Sequence, residues 1–361
     1  MAYSSIVKPS VYFNTRLYTG NGSTQHSITG VGLQPDLTWI KSRSDNYNHF
    51  LFDAVRGVGK QIYSNATSVE ATNMNNLYAF NADGFSLAQS GNDDVTNKNN
   101  SNFVSWNWKA GTTGSGTTTG SGTGKAYTYS VNTTAGFSII GYKGNGTAGH
   151  TIPHHLGVTP DTIIVKNRDY ARNWSVYHKN AFTSQAAPGV LYLNTTAAKA
   201  NDTNVWGNSS VTINSTVFSL GDYEGTNRND DDLVAYCFAE KKGYSKFGIY
   251  TGNGNADGPF VYTGFKPAFV MTKRTDGTSD WAMMDNKRPN EFNVVQNYFK
   301  AQSSDAEQTD DSFNIDILSN GWKARYNNGN YNADGGSYVY WAFAEEPLVA
   351  NVGAGVPATA R

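Results

Sequence analysis

Cysteine is almost absent from this chain. One residue in 361, Cys237, has a thiol, so no intramolecular disulfide can form. Stability must come from packing and strand pairing rather than cross-links. Cys237 lies inside the apolar stretch VAYCFAE and reads as a small core residue, not a reactive thiol. Charge is scarce as well. Only 16% of residues are Asp, Glu, Lys or Arg, and the formal net charge is −1. That balance excludes the basic stripe of a nucleic-acid binder. Long apolar runs are missing, so no segment is long enough to insert in a membrane. The opening MAYSSIVKPSVYFNTR is not a secretory signal. There is no heptad pattern to build a trimeric shaft, and no amphipathic stretch of helical length. A glycine-rich phosphate loop ending in Lys-Ser/Thr is also absent.

What is present is glycine, 37 residues, with aromatics at 13% and abundant Asn, Ser and Thr. Such a mix describes many short strands joined by polar turns, hence an all-β chain. The same pentapeptide is written three times: YTGNG at 18–22, YKGNG at 142–146 and YTGNG at 250–254. N-G is a strong hairpin-turn signal, and each copy reads as the first hairpin of a unit. Landmarks follow in one order after each copy. Pro35, Pro160 and Pro267 come first, and Lys41, Lys166 and Lys273 keep the same two spacings. HFLFD, WSVYH and WAMMD come next, and then VSWNWKA, VAYCFAE and VYWAFAE close each unit. Chance does not produce such an order. The chain carries three tandem copies of a unit of about 100 residues, each long enough to bury its own core.

The expected architecture is three tandem antiparallel β-sandwiches. Repeat 1 covers residues 1–110, repeat 2 covers 126–242 and repeat 3 covers 243–346. Between the first two lies GTTGSGTTTGSGTGK, residues 111–125, which has nothing to bury and reads as a flexible tether spanning roughly 20 Å. Only KKG separates repeats 2 and 3, so these two are expected to form a rigid pair with repeat 1 freer. Residues 347–361, with two prolines and two glycines in the closing stretch, read as an extended tail.

Candidate chemistry is sparse. His150, His154 and His155 sit in HTIPHHLG, but Pro153 breaks any helix that would align them on a metal. A turn, or solvent-exposed histidines, is the expectation. Asp53 and Asp285 occupy matching positions, each followed three residues later by an arginine, Arg56 or Arg288. A local ion pair fixing a turn accounts for both. Repeat 2 has His178 and Ala181 instead, so no dyad is shared by all copies. The binding candidates are on the loop before each closing strand: Asn97 and Asn99, Asn227 and Asn229, Asn332 and Asp334. Their amides and carboxylates suit sugar hydroxyls. Repeat 2 adds Asp230, Asp231 and Asp232, three adjacent carboxylates that could hold Ca²⁺. No other cofactor and no catalytic set are expected.

The strings MAYSSIVKPSVYFNTRLYTGNGS, GVGLQPDLTWIKSR, VSWNWKAG, TAGFSIIGYKGNGTAGHTIPHHLGVTPDTIIVKNRD, NWSVYH and YWAFAE together resemble a known group. It is that of the tandem-repeat virion structural proteins of marine tailed bacteriophages, notably cyanophages. The similarity covers nearly the whole chain. It implies a virion protein whose repeats have a concanavalin-like jelly-roll sandwich. The implied roles are a tail fibre or adhesin binding host-cell surface saccharide, or a capsid decoration protein binding the shell. A glycan-degrading enzyme is a third, weaker reading. Other virion proteins and further copies of this chain are the implied partners.

Overall fold

The structure is a computed structural model. It describes residues 4, 6–88, 95–181, 184, 189–208, 210–288 and 293–348. The chain is all-β, built from several antiparallel sheets. Each of three consecutive stretches supplies one large sheet and one three-stranded sheet. The large sheets share one strand order. An opening strand (Phe13–Thr19, Phe137–Lys143, Ser245–Thr251) pairs with the closing strand (Asn102–Trp108, Asp232–Phe238, Ser337–Pro347). The closing strand pairs in turn with an inner strand (Leu37–Ser42, Thr162–Asn167, Phe265–Arg274). Beyond it lies Phe50–Asp53, Ser175–His178 or Trp281–Asp285.

The closing strands are apolar on both faces, and the reason is in their alternation. In repeat 2, Leu233, Ala235 and Cys237 face a core enclosed by the two sheets of that repeat. The intervening Val234, Tyr236 and Phe238 face a different core. In repeat 3, Tyr338, Tyr340 and Ala342 point into the local core, while Val339, Trp341 and Phe343 point the other way. This second core belongs to no single repeat. Phe13, Trp106 and Trp108 of repeat 1 meet Phe137 and Phe238 of repeat 2 and Phe269 and Phe343 of repeat 3. Phe343 is the hub, its ring centroid 5.0 Å from Phe13 and 5.8 Å from Phe238. The three large sheets therefore stand back to back around one aromatic centre. At its middle is an apolar cavity of about 30 Å³, walled by Leu37, Trp108, Ile164, Phe238, Phe269 and Phe343. That is room for about one water, and no polar wall would hold it.

Two expectations need correction. Repeat 1 is not freer than the other two, since it supplies a third of the common core. Residues 111–125 are not a loose tether. Thr112–Thr117 forms a strand paired antiparallel with Ala126–Asn132, and Thr119–Gly120 pairs with His150–Pro153. A strand ladder needs backbone groups, not apolar side chains, so composition alone misread it. The glycines have a further role. A Cβ on Gly114 would lie 2.6 Å from the hydroxyl of Tyr129, and one on Gly116 would lie 2.7 Å from that of Tyr127. The tyrosines lie across the bare backbone and cover it. The tail, residues 347–361, falls outside the described residues from 349 onward; Pro347 ends the closing strand.

Candidate functional site

The GNG pentads and the loops before the closing strands are one construction. Asn97, Asn227 and Asn332 are buried, and each uses its amide fully within the protein. Asn227 Oδ1 accepts from the Asn145 backbone N–H at 3.0 Å and meets His150 Nδ1 at 2.9 Å. Its Nδ2 donates to the carbonyls of Thr147 and Gly221. Asn97 accepts in the same way from Asn21 N–H, and Asn332 from Asn253 N–H. The central Asn of each pentad then folds an Asx turn: Asn21 Oδ1 accepts from Ser23 N–H, Asn145 from Thr147 and Asn253 from Asn255. The first glycine is required by crowding. A Cβ on Gly20, Gly144 or Gly252 would fall 2.1–2.2 Å from the carbonyl oxygen of Lys98, Arg228 or Ala333. The second glycine, Gly22, Gly146 or Gly254, sits at positive φ. The pentad is thus not a hairpin turn. It carries the chain from the large sheet to the three-stranded sheet, as from Ser245–Thr251 to Phe260–Tyr262.

This places the six candidate ligands plainly. Asn97, Asn227 and Asn332 tie the loop to the turn. Asn99, Asn229 and Asp334 are exposed beside them. The three aspartates of repeat 2 diverge. Asp230 pairs with Lys125 at 2.5 Å and Asp232 with Lys143 at 2.8 Å, while Asp231 accepts from Asn167 Nδ2 at 2.8 Å. Among the described residues, no group of three or more His, Cys, Asp or Glu could hold a metal ion. His150 and His154 are buried, contrary to the expectation of exposure. His150 lies on a strand and His154 directly after it. His154 is lowered to about 4 by burial, so it is neutral at pH 7. His155, at positive φ, stacks on Tyr129 at 3.7 Å.

The pronounced electrostatics lie between repeats. Lys41, Lys166 and Lys273 are buried. Lys41 Nζ donates to Ser304 O at 3.1 Å, Lys166 to Thr67 O at 2.9 Å and Lys273 to Thr196 O at 2.9 Å. Repeat 1 therefore reaches repeat 3, repeat 2 reaches repeat 1, and repeat 3 reaches repeat 2. The contacts close a ring, with equivalent residues at each joint. Burial lowers the three amines to about 7, 8 and 8.

The Asp–Arg pairs belong to the same joints. Asp53 and Arg56 are fully buried, 2.5 Å apart, and Tyr236 of repeat 2 donates its hydroxyl to Asp53 at 2.7 Å. Arg168 of repeat 2 grips Glu70 with two hydrogen bonds, and Glu70 also takes Arg56 at 3.0 Å. The joint between repeats 1 and 3 repeats this. Trp106 donates to Asp285, Arg288 pairs with Asp285 and Glu307, and Arg43 is bidentate on Glu307. The third joint lacks this charged set. His178 replaces the aspartate, Ala181 the inner arginine, Lys199 the glutamate and Thr275 the outer arginine. His178 meets Trp341 edge to face at 4.8 Å, and Lys199 keeps the backbone bond to Thr275 O at 3.0 Å. Both arginines are lost together with the aspartate and the glutamate, so neither side of the Asp–Arg–Glu set is left without its partner. The pairs were legible in sequence as local turns; their burial and their partners in the next repeat were not.

One surface was missed. Ile249, Phe260 and Tyr262 of repeat 3 are 59%, 45% and 48% exposed. A signal existed, because FVY at 260–262 places two aromatics on one side of a short strand.

A family model described as Domain of unknown function (DUF7483) matches residues 8–347. The chain belongs to that family. No curated protein and no solved structure matches.

Proposed function

We propose that this protein is a structural component of a bacteriophage virion, displayed on the particle surface as an adhesin of tail-fibre type that binds host-cell glycan. On this reading each sheet pair is a concanavalin-like jelly-roll domain, and the protein is made in the host cytoplasm for assembly with other virion proteins. The sequence resemblance motivates the virion setting. The observation that carries the adhesin reading is the head-to-tail closure of the three repeats, which presents one loop three times on a single body. Asn99, Asn229 and Asp334 then sit at corresponding exposed positions, and linked weak sites gain avidity. No enzymatic role is proposed. A second reading, a capsid decoration protein, draws on the same geometry, since a threefold frame suits a threefold place on a shell.

Quantitative mass spectrometry of purified particles separates the two. A few copies per particle supports the adhesin, and abundance matching the major shell protein supports decoration. For the adhesin, glycan-array binding should fall on changing Asn99, Asn229 and Asp334 together to Ala. Undiminished binding by that triple variant removes these loops as the site.

A further inference from the structure

Each repeat has a mouth where its two sheets part, and the three mouths are treated differently. In repeat 2 the strand Ala126–Asn132 pairs antiparallel along the opening strand, and Tyr127, Tyr129 and Val131 seal the core at alternating positions. In repeat 1 the guanidinium of Arg16 lies over Gly30 and Asn14 Nδ2 donates to Val31 O at 2.8 Å, so polar side chains cross the gap and line a cavity of about 350 Å³. In repeat 3, as in repeat 1, no strand among the described residues pairs with the outer edge of the opening strand, here Ser245–Thr251. Its mouth is an open cleft of about 430 Å³, floored by Gly248, Tyr250 and Tyr340 and rimmed by Phe260 and Tyr262.

The edge is available for pairing from Ile249 onward, since the outward groups of Phe247 are already bonded within the protein. Phe247 turns its carbonyl outward to Asn180 Nδ2 at 3.1 Å. By the two-residue alternation of a strand, Ile249 and Thr251 turn their N–H and C=O groups outward too. An exposed edge beside exposed aromatics invites another strand. We infer that this cleft receives an extended strand of a partner protein, added antiparallel to Ser245–Thr251, with apolar side chains at alternating positions filling the mouth. Repeat 2 supplies the template, because the same place on the same frame is filled there by alternating tyrosines. Lys246 Nζ lies 5.3 Å from the Tyr262 ring, so the strand facing it should carry no cation. Main-chain pairing would give affinity, and the mouth would select the side chains. The inference stands whether or not the partner belongs to a virion.

The test uses the full-length protein and a fluorescein-labelled peptide of the template strand, AYTYSVN, followed by anisotropy. Saturable binding is expected. A peptide of the same composition with its tyrosines adjacent should bind at least about tenfold more weakly, as should the variants Phe260→Ser, Tyr262→Ser and Ile249→Pro. Proline removes the outward N–H at 249 yet is tolerated on an edge strand. Each variant is compared by thermal melt, and Val158→Ser, exposed on repeat 2, serves as the unaffected control. Absence of saturable binding overturns the inference, as does equal binding of the scrambled peptide or full binding by Ile249→Pro. Two further results would also overturn it. Self-association abolished by Phe260→Ser would give the cleft to a second copy of this chain, and saccharide binding without peptide binding would give it to a sugar.

Discussion

At the scale of single residues, the joints are the costly places. Asp53 has no contact with water and holds Arg56 and the Tyr236 hydroxyl. Changing it to Ala leaves a buried guanidinium without its nearest anion. Breaking one side of such a pair costs about 3–5 kcal/mol. Chemical denaturation should show that loss for Asp53→Ala and Asp285→Ala. His178→Ala, at the joint without an Asp–Arg pair, should cost less than either. The pH response follows from groups buried in neutral form. His154 and His178 are lowered to about 4 and about 3 by burial. Above the unfolded value near 6.5 they are neutral in both states and cost nothing. As pH falls from 6.5 towards 4 and 3, only the unfolded chain gains the proton, so stability declines. The lysines act in a higher window. Between the unfolded value near 10.5 and about 7–8, the unfolded chain holds protons that the folded chain releases. Stability should therefore rise from pH 7 to pH 9, by at most about 1.4 kcal/mol per unit for each lysine. Thermal melts across pH 5–9 check both arms, and Lys166→Met should flatten the upper one.

At the scale of elements, what could be read depended on whether a local pattern had a local cause. The closing strand VAYCFAE is apolar at every position that faces something, and the structure covers both of its faces. What covers the second face could not be read, because Phe13 and Phe343 are far from it in sequence. The glycine-rich stretch at 112–117 misled for the opposite reason. Its partners are Tyr127 and Tyr129, and its order comes from them rather than from its own side chains. The GNG pentads were legible as turns and misjudged as hairpins. Turn chemistry fixes the bend, while the sheet that receives the next strand is fixed by tertiary contacts such as Asn97 and Asn227. The candidate asparagines show the same limit. An Asn on an irregular loop can face a ligand or a neighbouring backbone, and only the fold distinguishes Asn97 from the exposed Asn99.

At the scale of the whole molecule, the shared core makes the three repeats one cooperative body. A chain of independent domains would melt in separate steps. Here any repeat that opened would expose the faces of Trp106, Phe238 and Phe343 to water and break two joints. Scanning calorimetry should accordingly give a single main transition, and residues 126–348 produced alone should lose it or aggregate. Two well-separated transitions would contradict the common core.

The closed order of the joints has one more consequence. A head-to-tail contact that closes after three is the arrangement of a homotrimer, but here the three parts share one peptide chain. Dilution cannot take such a trimer apart. Nor must its corners stay identical, since a substitution in one is not copied into the others. The change to His178, Ala181, Lys199 and Thr275 at one joint, and the bare mouth of repeat 3 beside the sealed mouth of repeat 2, are what that freedom permits: a symmetric frame with three separately editable faces.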